Sequence, residues 1–170
     1  MKKIMMAAMA VCVMAGMAVA EVKITKVDKV SPTDEMFMDM AVTAANNNLK
    51  EGQLPCGAVV ILNGAAPRTA GRSTATLTAE EDAINKSRRK SLKNAVIYTV
   101  NEPTTDAYNA ICRSGADAVY FCNPREAVIS KGVYPASAYD DARIDTTYTP
   151  VKMGCIEISE GKAVLNKYVK

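Results

Sequence analysis

The sequence predicts an α/β protein: a three-layer helix–sheet–helix sandwich on a mixed sheet of roughly five strands. Three observations carry that expectation. Residues 95–100 and 117–122 are apolar, β-branched runs joined by a helical stretch at 104–113. A strand–helix–strand unit of that length implies parallel neighbours and a right-handed crossover. Residues 58–62 form a continuous apolar run that ends at Asn63-Gly64, a strong hairpin signal, so an antiparallel partner is expected within 67–74. Apolar residues recurring every three or four positions after Ser31 place a helix ahead of the hairpin.

Taken in order, residues 21–30 alternate weakly through Val22, Ile24 and Val27 and read as an extended lead-in. Ser31-Pro32-Thr33-Asp34 is a helix start, with Ser as cap, Pro at the first helical position and Asp in the first turn. Met36, Phe37, Met40, Ala41, Ala44 and Ala45 give that helix one apolar face, and Gly52 stops it. Residues 78–90 predict a second helix with Ala79, Ala83 and Ile84 inward and Lys86, Arg88, Arg89 and Lys90 toward its end. That basic group suits the negative end of a helix dipole better than a nucleic-acid patch. Gly115 closes the crossover helix, Asn123-Pro124 opens a short one ending at Gly132, and 134–149 reads as loop. Two terminal strands are expected at 151–158 and 163–169, around Glu160-Gly161.

A chain of 170 residues has room for one domain with an ordinary core. The expected organisation is a signal peptide at 1–20, a lead-in at 21–33 and one domain at 34–170. Net charge of +3 is too small to argue for nucleic acid or an anionic membrane as partner. Lys2-Lys3, an apolar Met- and Ala-rich run, and Ala18-Val19-Ala20 before Glu21 have the order of a secretory signal peptide. The run is short for a transmembrane anchor, which needs roughly 20 apolar residues. An exported, periplasmic or secreted protein is therefore expected, with no membrane attachment after cleavage. Cys12 would leave with the signal. Of the remaining Cys56, Cys112, Cys122 and Cys155, spacing alone selects no disulfide pairing, and Cys112 and Cys122 read as buried thiols.

Three words stand out: Pro55-Cys56-Gly57-Ala58-Val59, Thr78-Ala79-Glu80, and Glu102-Pro103-Thr104-Thr105-Asp106-Ala107. In order and spacing they resemble the P-x-G-A-V, H-A-E and E-P-C-x-x-C words of the cytidine deaminase-like superfamily. The likeness runs from about residue 37 to 141 and is nearest the guanine deaminase and tRNA adenosine deaminase branch. Residues 98–103, 118–121 and 125–127 resemble that branch's strand into the E-P-C word and the strand and helix that follow.

In that family His and two Cys hold zinc, zinc lowers the pKa of bound water, and the H-A-E glutamate shuttles protons. The resemblance puts Glu80 at the glutamate position but Thr78, Thr104 and Ala107 at the three ligand positions. The chain contains no His at all. Zinc is thus expected of the family but not of this chain, and no other cofactor is indicated. Unassisted water has a pKa of about 15.7, against about 7 on a zinc site such as carbonic anhydrase, and Glu80 alone does not offset that. The family's G-x-N word is here Gly71-Arg72-Ser73, so its base-contacting Asn is also missing.

Two readings of the remaining residues stay open. Thr78 with Glu81 forms a capping box, and Glu80, Pro103 and Thr104 are ordinary residues for a helix start. Alternatively, the fold aims two helix N-termini at the former metal position and leaves a relic pocket. Ser73, Thr78 and Thr104 would line it with hydroxyls, with Cys56 beside them and Glu80 and Asp106 facing a cationic or amine-bearing group. A different metal site from Cys56, Glu80 and Asp106 has no spacing rule behind it.

The functional expectation is an exported pseudoenzyme that binds a small polar or nucleobase-like ligand or a protein partner. An active nucleobase or nucleoside deaminase with unusual ligands, and a purely structural domain with a filled pocket, are the alternatives. The resemblance also admits a homodimer, because members of this branch pair through helices beside the site.

Overall fold

The computed structural model describes residues 22–65 and 70–169. The proposed signal peptide at 1–20 lies outside them. Six strands form one mixed sheet in the order β1-β6-β5-β4-β2-β3. They are β1 (Ile24–Lys26), β2 (Gly57–Leu62), β3 (Ala70–Arg72), β4 (Ala95–Asn101), β5 (Ala118–Asn123) and β6 (Lys152–Cys155). The β1-β6-β5-β4 ribbon is parallel throughout, while β2 runs antiparallel to both β4 and β3. Five helices cover the faces: α1 (Pro32–Lys50), α2 (Ala79–Ser87), α3 (Thr105–Ser114), α4 (Arg125–Ser130) and α5 (Ser159–Lys167). Among the described residues no helix is long and apolar enough to cross a membrane.

The central strands are buried on both faces, so they read as continuous apolar runs rather than alternations. Ala58, Val60, Ile97, Val119 and Phe121 point toward α2 and α3, whose Ala79, Ala83, Tyr108 and Ile111 complete one core. Val59, Ile61, Tyr98, Val100 and Cys122 point the other way, onto Phe37, Met38, Ala41 and Ala45 of α1 and Val164 of α5. The expected sandwich is therefore the observed one. All four described cysteines are free thiols, with Cys112 and Cys122 buried as expected.

Two glycines set how closely the layers approach. A Cβ on Gly57 would run into the backbone of α1, at Ala41 O and 2.5 Å from Ala45 N. A Cβ on Gly71 would collide with Ala79 O and lie 2.7 Å from Ala83 N. Each helix meets its glycine through a pair of alanines four residues apart, so backbone rests almost on backbone.

Three sequence expectations are corrected. Residues 163–169 are not a strand: Gly161, Val164 and Leu165 are one buried face of α5. The pairing explains this, since β6 already has β5 on one side and β1 on the other and leaves no place for another strand there. The sixth strand comes instead from the lead-in, whose Ile24, Thr25 and Lys26 pair with Met153, Gly154 and Cys155. On α1, Met36 and Met40 are exposed, and Met38 takes the buried position. Seating Ala41 and Ala45 on Gly57 rotates the helix so that 37, 38, 41, 42, 44, 45 and 48 face inward.

Gly71→Ala is expected to lower unfolding free energy by about 3 kcal/mol or more, because the clash is with helix backbone that no rotamer relieves. Chemical denaturation checks it; a loss below about 1 kcal/mol would mean that α2 is not seated this tightly.

Candidate functional site

The site lies where α2 and α3 begin, beyond the carboxyl end of β4 and the start of β2. Because β2 is antiparallel to β4, with Ala58 opposite Thr99, the Pro55-Cys56 entry to β2 comes to rest beside Thr99 and Asn101. Asn101 secures that entry, donating from Nδ2 to Pro55 O at 3.0 Å and to Cys56 Sγ at 3.4 Å. The Cys56 carbonyl in turn accepts from Asn48 of α1.

Both helix starts are capped by threonines, Thr78 and Thr104, which the sequence resemblance sets at ligand positions. Thr78 Oγ1 accepts from Glu81 N at 3.2 Å, and Glu81 Oε2 accepts from Thr78 N at 3.0 Å, a complete capping box. Thr104 Oγ1 accepts from Ala107 N at 3.3 Å. Ala107 is fully buried with a methyl group and nothing to coordinate. The three positions thus supply two neutral hydroxyls already engaged by backbone, and one methyl. Zinc is held by thiolate, imidazole or carboxylate ligands, so these residues do not fit it. Among the described residues no three His, Cys, Asp or Glu side chains come together at one point.

Glu80 does not join the cap. Its side chain turns inward, 6 % exposed, where Thr99 Oγ1 donates to Glu80 Oε1 at 2.5 Å. Burial raises its pKa from the ordinary 4.5, partly opposed by hydrogen bonds from Thr99, its own amide and Thr78. Cys56, buried close by, has its thiol pushed up to about 12, chiefly by burial, which leaves it a neutral thiol at physiological pH. The Cys56 thiol donates to the Tyr134 hydroxyl at 3.3 Å. Tyr134 also hydrogen-bonds Ser73, and its own pKa is raised, first by burial and then by the neighbouring Cys56 and Glu80.

Outside this buried group is an open polar cleft of about 690 Å³, lined by Ser73, Thr78, Glu81, Thr104, Asp106 and Tyr134 among others. Neither Glu80 nor Cys56 lines it. The structure therefore splits the sequence-predicted set. Ser73, Thr78, Thr104 and Asp106 share the cleft, whereas Glu80 and Cys56 do not line it, Cys56 being hydrogen-bonded to the hydroxyl of Tyr134, which does. Asp106 is at the exposed rim, paired with Arg143 at 2.8 Å, so it and Glu80 do not face one common group.

Sequence reasoning missed Tyr134, Thr99 and Asn101. Thr99 and Asn101 are hidden inside an apolar strand, and Tyr134 arrives from a segment that carries no motif. Glu102, by contrast, is structural: its carboxylate, 2 % exposed, accepts from Arg125 N at 2.8 Å and Nε at 2.5 Å. It fastens the end of β4 to the start of α4, and Tyr139 stacks on the same guanidinium.

The Glu80 proton gives a pH test. A carboxyl whose folded pKa is raised contributes most at low pH, and that contribution is lost as pH rises through the folded value. Glu80→Gln carries a neutral amide at every pH. Its melting temperature should therefore match the native protein's at about pH 4 and gain on it progressively toward about pH 8. A difference that stays constant over that range would show that burial does not raise the Glu80 pKa.

Comparison with known proteins follows from this geometry. Residues 31–123 match the model of the cytidine and deoxycytidylate deaminase zinc-binding region, more than half of the chain. No curated protein matches. Among solved structures, one from a study of A-to-I editing by tRNA:A34 deaminases is 21% identical, with TM-score 0.59, covering 76% of this chain and 99% of that one. Guanine deaminase from Nitrosomonas europaea is 14% identical, with TM-score 0.64 and 88% of each chain covered. The dCMP deaminase of cyanophage S-TIM5 is 17% identical, with TM-score 0.51, covering 75% of this chain and all of that one (100%). At such identities these three share the fold. The family model adds the region that carries the three words, and on that match the chain belongs to the cytidine and deoxycytidylate deaminase zinc-binding region family.

Proposed function

We propose that this chain is a catalytically degenerate deaminase-fold protein, exported from the cell, that binds a small polar or nucleobase-like ligand in the cleft between α2 and α3. The observation that carries the reading is the donor set where the two helix starts converge. Thr78, Thr104 and Ala107 replace a zinc-ligating trio, while the cleft they border stays open and rich in hydroxyls. Hydroxyls of Ser73, Thr78 and Thr104 can donate to or accept from a planar polar ligand, and Glu81 and Asp106 bias the rim toward donor-rich groups. Glu80 has no zinc-ligating trio beside it among the described residues and does not line the cleft, so we read its family role as proton shuttle as lost. Export rests on the Lys2-Lys3, apolar and Ala18-Val19-Ala20 sequence alone.

The test is a panel of guanine, cytidine and adenosine, read two ways. No ammonia should be released over many enzyme equivalents. At least one member should raise the melting temperature, and Thr76→Trp, which crowds the exposed cleft wall, should abolish the rise. Multiple turnover would overturn the non-catalytic reading, and a panel with no thermal effect would overturn nucleobase-like binding.

A further inference from the structure

Helix α3 has a cavity on each side. Asp106, Asn109 and Arg113 border the polar cleft, whereas Tyr108 and Cys112, on the other side of the helix, border a second cavity of about 600 Å³. The two share no lining residue. The second cavity opens at the β1–β6 edge of the sheet and beneath the 144–150 segment, and its walls are mainly apolar.

On the α3 face its apolar walls are Val22 before β1, Tyr108 of α3, Ile144, Val151, and Met153 of β6, and Val27 borders it round the sheet edge. Tyr108, Val151 and Met153 belong to the main core and are each less than a tenth exposed, so the cavity reaches down to the core. Tyr108 spends its hydroxyl on Val151 O at 3.0 Å and presents only its ring. At the mouth stand Lys23 and Lys152, both exposed, and among the described residues neither is in an ion pair. Asp145, the one carboxylate on the lining, is turned to its own loop, accepting from Thr147 N at 3.0 Å and Thr147 Oγ1 at 2.6 Å. The mouth therefore carries an excess of positive charge over an apolar interior.

From this we infer a second ligand site, separate from the cleft, for a small molecule with an apolar body and a single anionic head group. The volume is within the roughly 300–1,000 Å³ usual for small-ligand pockets, and such pockets pair apolar walls with a few polar groups that fix orientation. The body lies against Val22, Tyr108, Val151 and Met153, and the anion meets Lys23 and Lys152. The charge pairs set orientation and selectivity, and the apolar walls provide most of the affinity.

Two fluorescent probes test this: 1-anilinonaphthalene-8-sulfonate, which has an anionic head, and N-phenyl-1-naphthylamine, which lacks it. Both should bind saturably at about one equivalent. The double variant Lys23→Glu, Lys152→Glu changes two exposed side chains and should weaken the sulfonate on the order of tenfold while the neutral probe changes less than about twofold. Thr76→Trp, which crowds the other cavity, should leave both unchanged. The site is overturned by non-saturable binding, by equal effects on the two probes, by a sulfonate affinity indifferent to the charge reversal, or by loss of binding in Thr76→Trp. Failure of this site leaves the cleft reading standing, since that reading is tested separately by the nucleobase panel.

Discussion

The seating of α2 on Gly71 is the contact on which the site depends. With no Cβ at that position, Ala79 and Ala83 bring the helix backbone onto β3, and the start of α2 is driven toward the sheet. The same device, Gly57 under Ala41 and Ala45, holds α1 against the opposite face of β2. With both helices fixed at backbone contact, the second residue of α2 has nowhere to go but inward, and Glu80 ends against Thr99 rather than in solvent. Gly57 of the P-C-G-A-V word is thus an architectural residue, and so is Gly71, where the family's base-reading word survives only in part.

From that placement follows the layered chemistry of the site. The carboxyl of Glu80, the thiol of Cys56 and the phenol of Tyr134 are packed together where burial disfavours charge on each of them. Hydrogen bonds from Thr99 to Glu80, from Asn101 to Cys56 and from Cys56 to Tyr134 hold the group together. The groups that border the cleft are those outside it: threonine and serine hydroxyls and two carboxylates, Asp106 paired with Arg143 and Glu81 accepting from Thr78 in the capping box. The Glu80 carboxyl is turned to Thr99, and Tyr134, which lines the cleft, is hydrogen-bonded to the Cys56 thiol.

How much of this was legible in the sequence varied with the range of the interaction. The hairpin at Asn63-Gly64, the crossover through α3 and the capping box of Thr78 with Glu81 are local, and each was read from residues close in the chain. The family was legible because the three words, all within the matched residues 31–123, keep their order and spacing. What escaped was non-local. Residues 163–169 were read as a strand because nothing nearby says that both sides of β6 are already paired. Tyr134 lies 78 positions from the Cys56 it covers, in a segment without periodicity, so no pattern announces it. Even Glu80, recognised at once as a position of interest, could be assigned to a cap or to a pocket. The close approach at Gly71 turns it against Thr99, which is remote in sequence, and leaves it 6 % exposed.

The most direct measurement is the metal content of the protein purified without chelator, by elemental mass spectrometry. Replacement of the ligand trio by Thr78, Thr104 and Ala107 predicts less than about a tenth of an equivalent of zinc. Near one equivalent, retained through dialysis and lost in Cys56→Ser or Glu80→Gln, would contradict it and place a working metal centre where two threonines and an alanine stand.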